Sequence, residues 1–91
     1  MNLPPLKTLV LVEWVDSAQP ISQWQLLDDL PELEVVQCVS VGWLINESGA
    51  VLMLAPNLGD YESGGAAQGC GFIRIPRAAV TRVAELGEVQ P

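Results

Sequence analysis

Phe72-Ile73-Arg74-Ile75-Pro76-Arg77-Ala78-Ala79-Val80-Thr81-Arg82-Val83-Ala84-Glu85-Leu86 is the stretch on which the fold turns. Phe72 to Ile75 reads as a short strand. Pro76 ends it, because proline has no N–H for a sheet ladder. The residues beyond admit two readings. As a helix, the segment has Pro76 in its first turn, Gly87 just past its end, and Ala79, Val83 and Leu86 on one face. As a strand, it has one 3₁₀ turn at Arg77 to Ala79 and then an extended run from Val80 to Leu86. The strand reading is preferred, since a fifth strand covers edges that four strands leave open.

Upstream lies a hairpin. Leu33 to Ile45 reads as a long strand with two unlike faces. Gln37, Val39, Val41, Trp43 and Ile45 make a large face; Val36, Cys38, Ser40, Gly42 and Leu44 make a small one. Gly42 inside a strand points to a bulge or a close backbone approach. Asn46 to Gly49 is a turn, with Gly49 available for positive φ. Ala50 to Leu54 returns and is closed by Pro56. Asn57 to Gly71 is Gly-rich and without periodicity, and reads as a loop. Nearer the start, Lys7 to Val15 is a strand apolar on both faces, broken by Glu13; such a strand is usually covered on both sides.

Between the first two strands a helix signal appears. Ser22 and Gln25 have the spacing of a capping box, and Ile21 and Leu26 that of a hydrophobic staple. Leu26, Leu27 and Leu30 then share a face, with Trp24 at its edge. Pro31 stops the run. A short helix is predicted at Gln23 to Asp29. The expected architecture is one domain, residues 1–91, all-β with one short helix.

Composition narrows the function. Of 91 residues, 49% are hydrophobic and 16% charged, against about 25% charged in ordinary soluble domains. So small a domain has much surface for its volume, and the apolar surplus points to an interface and a homo-oligomer. Four basic residues against eleven acids give a net charge of -7. Duplex nucleic acid and anionic membranes both need clustered cations and are disfavoured as partners. No apolar run approaches the roughly 20 residues that span a bilayer, and Thr8 to Val12 is too short for a signal-peptide core. A cytoplasmic location with Cys38 and Cys70 as reduced thiols is expected.

The chain has no histidine. That removes the commonest general base and metal ligand. The two cysteines are too far apart for a CxxC site, and Asp28 and Asp29 point to different helix faces. No enzyme, metal site or cofactor is expected. The candidate binding residues are Trp24, Tyr61, Phe72, Arg74 and Arg77. Trp24 lies at a helix edge and Tyr61 in an acidic loop, places where an aromatic side chain stays available to a partner. Arg74 alternates with Ile73 and Ile75, so it points outward if they point inward. Phe72 would then share its face and offer a stacking platform, with Arg77 near enough to meet a phosphate. The plainer alternative pairs Arg74 with a surface carboxylate such as Glu85. The glycines from Gly64 to Gly71 would cradle an anion through their backbone N–H groups, or serve as a linker.

Trp14-x-Asp16-Ser17, Trp24, the run from Cys38 to Leu44, Ile75-Pro76-Arg77, and Val80 to Leu86 together resemble a family of small proteins of tailed phages and prophages. The resemblance covers most of the chain, apart from the long Gly-rich loop. It implies expression in the cytoplasm of an infected host bacterium and a role in host takeover or counter-defence. The strand, Pro, 3₁₀ turn and final strand of residues 72–86 also resemble a small five-stranded SH3-like barrel, an analogy of fold alone. Two functions are then expected. One is a non-enzymatic accessory protein that binds and inhibits a host or bacterial defence protein through an aromatic–acidic surface. The other is an oligomer that sequesters a small nucleotide signal, with Arg74 or Arg77 meeting the Gly-rich loop.

Overall fold

A computed structural model describes residues 8–18, 20–60 and 66–87. Its strands are β1 (Thr8–Asp16), β2 (Val36–Glu47), β3 (Val51–Ala55), β4 (Asn57–Gly59), β5 (Gln68–Cys70), β6 (Ile73–Pro76) and β7 (Val80–Glu85). Five of them form an antiparallel sheet in the order β6-β3-β2-β1-β7, while β4 and β5 pair separately. The chain is all-β. The large sheet is open, with β6 and β7 at its two ends. A 3₁₀ turn at Arg77–Ala79 leads into β7, so the strand reading of the tail holds. β7 pairs with β1 from Val10↔Glu85 to Trp14↔Val80, which satisfies an edge that a helix would have left unpaired.

The core is small. Val10 and Val12 of β1, Leu52 and Leu54 of β3, and Ile75 of β6 are buried together, with Trp14, Leu44, Ile73 and Val80 packed around them. The small face of β2 turns toward this core: Gly42 lies opposite Val10, Ser40 opposite Val12 and Cys38 opposite Trp14. Its smallness has a steric cause. A Cβ on Gly42 would stand 3.0 Å from the Ala55 carbonyl oxygen and 3.3 Å from Leu54 Cβ. Ser40 leaves room for the Trp14 indole, whose Nε1–H donates to Ser40 Oγ at 3.1 Å. The register slip against β3 comes just after Gly42, between Leu44 and Asn46, where an extra residue bends the strand.

The other face of β1 and β2 is different. Cross-strand partners share a face, so Leu9, Leu11, Glu13 and Val15 lie beside Trp43, Val41, Val39 and Gln37. On the β7 side, Ala84 and Arg82 stand opposite Leu11 and Glu13. β1 is apolar on both faces; on this second face Leu9, Leu11, Val15 and Trp43 are half-buried. Val39 and Val41 are 63% and 49% exposed.

Three local readings need correction. The helix expected at Gln23 to Asp29 shrinks to a 3₁₀ turn at Leu27–Asp29 without a side-chain cap. Its side chains are all exposed. An isolated helix of seven residues is marginal without a packed face, and a capping box cannot replace that packing. The supposed loop at Asn57 to Gly71 contains the β4–β5 pair. Finally, Gly49 does not take positive φ, which among the described glycines belongs to Gly71. The hairpin turn is held by Ser48 Oγ, which accepts the N–H groups of Ala50 and Val51, each at 3.1 Å.

Candidate functional site

The segment between β1 and β2 is the most unusual surface of the chain. It begins where Asp16 Oδ1 accepts the Ser17 N–H at 2.8 Å. Every described residue from 20 to 35 is exposed. The segment's described residues carry a bend at Gln23 and a single 3₁₀ turn, which one backbone bond from Asp29 N–H to the Leu26 carbonyl closes. Leu26 and Leu30 on either side of the turn are extended, the latter as Pro31 favours for the residue before it. Trp24 is 99% exposed, and Leu26, Leu27 and Leu33 are also largely or wholly in solvent. Asp28, Asp29, Glu32 and Glu34 are its only charged residues. The result is an arm that is apolar and acidic at once. The radius of gyration, 17.9 Å, exceeds the roughly 12 Å of a compact chain of this length.

Trp24 lies on this arm. Tyr61 falls outside the described residues. Phe72 is half exposed where the chain enters β6. Its ring lies over the β4–β5 pair: a Cβ on Gly69 would meet Phe72 Cζ at 3.0 Å. Arg74 faces outward, as its alternation with the buried Ile75 predicts, and stands opposite Met53. It lines a shallow depression of about 250 Å³ with Asn46, Glu47, Ser48, Val51 and Met53. Glu85 is not its partner, because β6 and β7 lie at opposite ends of the strand order. Among the described residues no carboxylate pairs with Arg74.

Arg77 has a different task. Its Nη2 donates to Glu47 Oε2 at 2.5 Å, its Nε to the Ser48 carbonyl at 2.6 Å, and its backbone N–H to the Ala50 carbonyl at 2.8 Å. These bonds tie the 3₁₀ turn before β7 to the β2–β3 turn, so the guanidinium is already occupied. The described part of the Gly-rich segment, residues 66–71, does not line the Arg74 depression. Gly69 pairs with Leu58 in the β4–β5 ladder. A second shallow depression there is lined by Asn57, Leu58, Gly59, Gln68, Gly69 and Cys70, with no arginine among them. Cys38 and Cys70 are free thiols. Among the described residues no cluster of His, Cys, Asp and Glu suits a metal ion, and no helix is long and apolar enough to cross a membrane.

The sequence reading placed Leu26, Leu27 and Leu30 on one face of a helix and did not name them among the candidate binding residues; all three are exposed. The usable signal was present: two prolines bracket a segment whose leucines have no facing element within the same local unit. No protein family, curated protein or solved structure matches this chain.

Proposed function

We propose that this chain is a non-enzymatic binding protein that engages another protein through the arm at residues 20–35. One observation carries the reading: Trp24 is 99% exposed, in the segment that also holds Asp28, Asp29, Glu32 and Glu34. A fully solvated Trp flanked by leucines offers a large apolar anchor with one N–H donor, the kind of side chain that dominates binding energy at protein interfaces. The four carboxylates favour a target whose groove is apolar with a basic rim. The resemblance to phage proteins supports a host or bacterial defence protein as that target, met in the host cytoplasm. The nucleotide-sequestering alternative draws on Arg74 alone, since Arg77 is engaged by Glu47 and Ser48. That difference favours the protein-binding reading.

The test compares the wild type with a Trp24→Ala, Leu27→Ala double variant as baits in bacterial lysate. It is followed by calorimetric titration of the purified captured protein. Loss of a Trp anchor of about 2 kcal/mol weakens binding roughly 30-fold. Equal capture and equal affinity by both baits would remove the arm from the interface. A parallel titration with cyclic and ADP-ribose-type nucleotides tests the alternative, in which Arg74→Ala abolishes binding.

A further inference from the structure

We infer that residues 23–29 close into a two-turn amphipathic helix when the apolar groove of a partner protein receives them, a conclusion that rests on the arm being the interface proposed above. The sequence marks both ends of such a helix. Ser22 and Gln25 have the spacing of a capping box, Ile21 and Leu26 that of a hydrophobic staple, and Pro31 follows as a stop. The free chain leaves these signals unused. Its 3₁₀ turn at Leu27–Asp29 has no side-chain cap, and every described residue from 20 to 35 is exposed. What the segment lacks is a surface to bury against, without which so short a helix is marginal in water. A groove supplies it.

The order of residues decides between a helix and a strand in the bound state. In an extended chain alternate residues share a side. Trp24, Leu26, Asp28 and Leu30 would then face one way, and Gln25, Leu27 and Asp29 the other. Each side mixes leucine with a carboxylate, so a strand-like contact buries an acid together with its apolar anchors. A helix turning about 100° per residue separates them. Trp24, Leu26, Leu27 and, at the C-cap, Leu30 fall within an arc of about 160°, interrupted by Gln23 in the first turn. Gln25, Asp28 and Asp29 take the opposite side. Asp28 stands about 40° beyond Trp24, at the rim of the apolar arc. The matching partner therefore has an apolar groove for Trp24 and the leucines and a basic side chain at its edge for Asp28.

The backbone is already close to this state. Leu26 has φ -70° and ψ 138°, and Leu30 has φ -67° and ψ 145°. Both φ values are helical, so rotation about ψ at Leu26 joins the turn to the residues before it. The turn's own bond, Asp29 N–H to the Leu26 carbonyl at 3.0 Å, spans three residues and supplies part of the costly nucleus. No packed side chain has to be released, because the segment is exposed throughout.

Two measurements on the full chain test the inference. In the first, uncharged dodecyl maltoside micelles supply an apolar surface, and NMR follows the Cα chemical shifts of residues 22–30. Helical shifts over residues 23–29 are expected only with micelles, weaker in Ser22→Ala and lost in Asp28→Pro. Shifts that stay extended or do not change would overturn the inference. In the second, calorimetry measures affinity for the protein recovered by the wild-type bait. Ser22→Ala is expected to raise Kd about 2- to 30-fold with Tm unchanged, since the free turn has no side-chain cap. Asp28→Ala removes one charge and keeps the helix. Asp28→Pro removes the same charge and is expected to bind roughly 100-fold more weakly than Asp28→Ala. Both Asp28 variants binding alike, while Trp24→Ala, Leu27→Ala weakens binding, would keep the arm as the interface and overturn the helix. Undiminished binding by Trp24→Ala, Leu27→Ala would remove the arm and the helix together.

Discussion

Gly42→Ala adds a single methyl group where β2 lies against the Ala55 backbone at the end of β3. The new Cβ would lie 3.0 Å from the Ala55 carbonyl oxygen, 3.1 Å from its carbon and 3.3 Å from Leu54 Cβ. Two of these atoms are backbone, so no side-chain rotation relieves the contact. β3 must retreat by a few tenths of an ångström, and it carries the buried Leu52 and Leu54 with it. Overfilling a packed core in this way costs about 1–3 kcal/mol. Replacing glycine also restricts the unfolded chain, which returns about 0.4–1 kcal/mol. The expected net loss is about 1–2 kcal/mol, or a fall of roughly 4–16 °C in Tm for a domain of this size. Gly49→Ala is the control. Its Cβ meets nothing within 4 Å, and its φ is not positive, so it should be neutral or slightly stabilising. Thermal melts of the three proteins under one buffer condition make the comparison. Gly42→Ala melting at or above wild type would refute the close approach of β3 to β2.

Two further substitutions probe neighbouring claims. Ser40→Ala removes the acceptor of the part-buried Trp14 Nε1–H and should cost about 1 kcal/mol in urea unfolding, with m unchanged. Ser22→Ala should leave the melting midpoint unchanged, because the 3₁₀ turn begins after Leu26 and has no side-chain cap; a loss of about 1 kcal/mol would instead reveal a capped helix starting at Ser22.

The strands were legible where local chemistry and packing agree. Pro76 and the alternation of residues 72–75 gave both the end of β6 and the outward aim of Arg74. The two unlike faces of β2 were visible as well, since parity along a strand needs no tertiary knowledge. Which face turns inward was not visible. Intuition assigns the larger face to the core, whereas Gly42, Ser40 and Cys38 face it because β3 and the Trp14 indole fill that space. The helix failed for a related reason. Its capping box and leucine spacing are local signals, and a seven-residue helix depends on burial supplied by another element. The β4–β5 pair escaped notice because Gly69 and Gly59 carry no strand pattern, although their backbone groups pair all the same.

The candidate site divides along the same line. Trp24 was identifiable as a surface aromatic, whereas Leu26, Leu27 and Leu30 were read as one face of a helix that the fold does not form. Arg77 was read as a ligand group, yet the residues that engage it, Glu47 and Ser48, lie far away in sequence and meet it only through the sheet. The apolar surplus was visible in the composition, but its location was not. The fold divides it between two surfaces of opposite electrostatic character. The arm combines its apolar side chains with four carboxylates and no cation. The β7-β1-β2 face carries one compensated ion pair, Glu13–Arg82. One chain thus carries apolar side chains on two distinct surfaces that differ in charge.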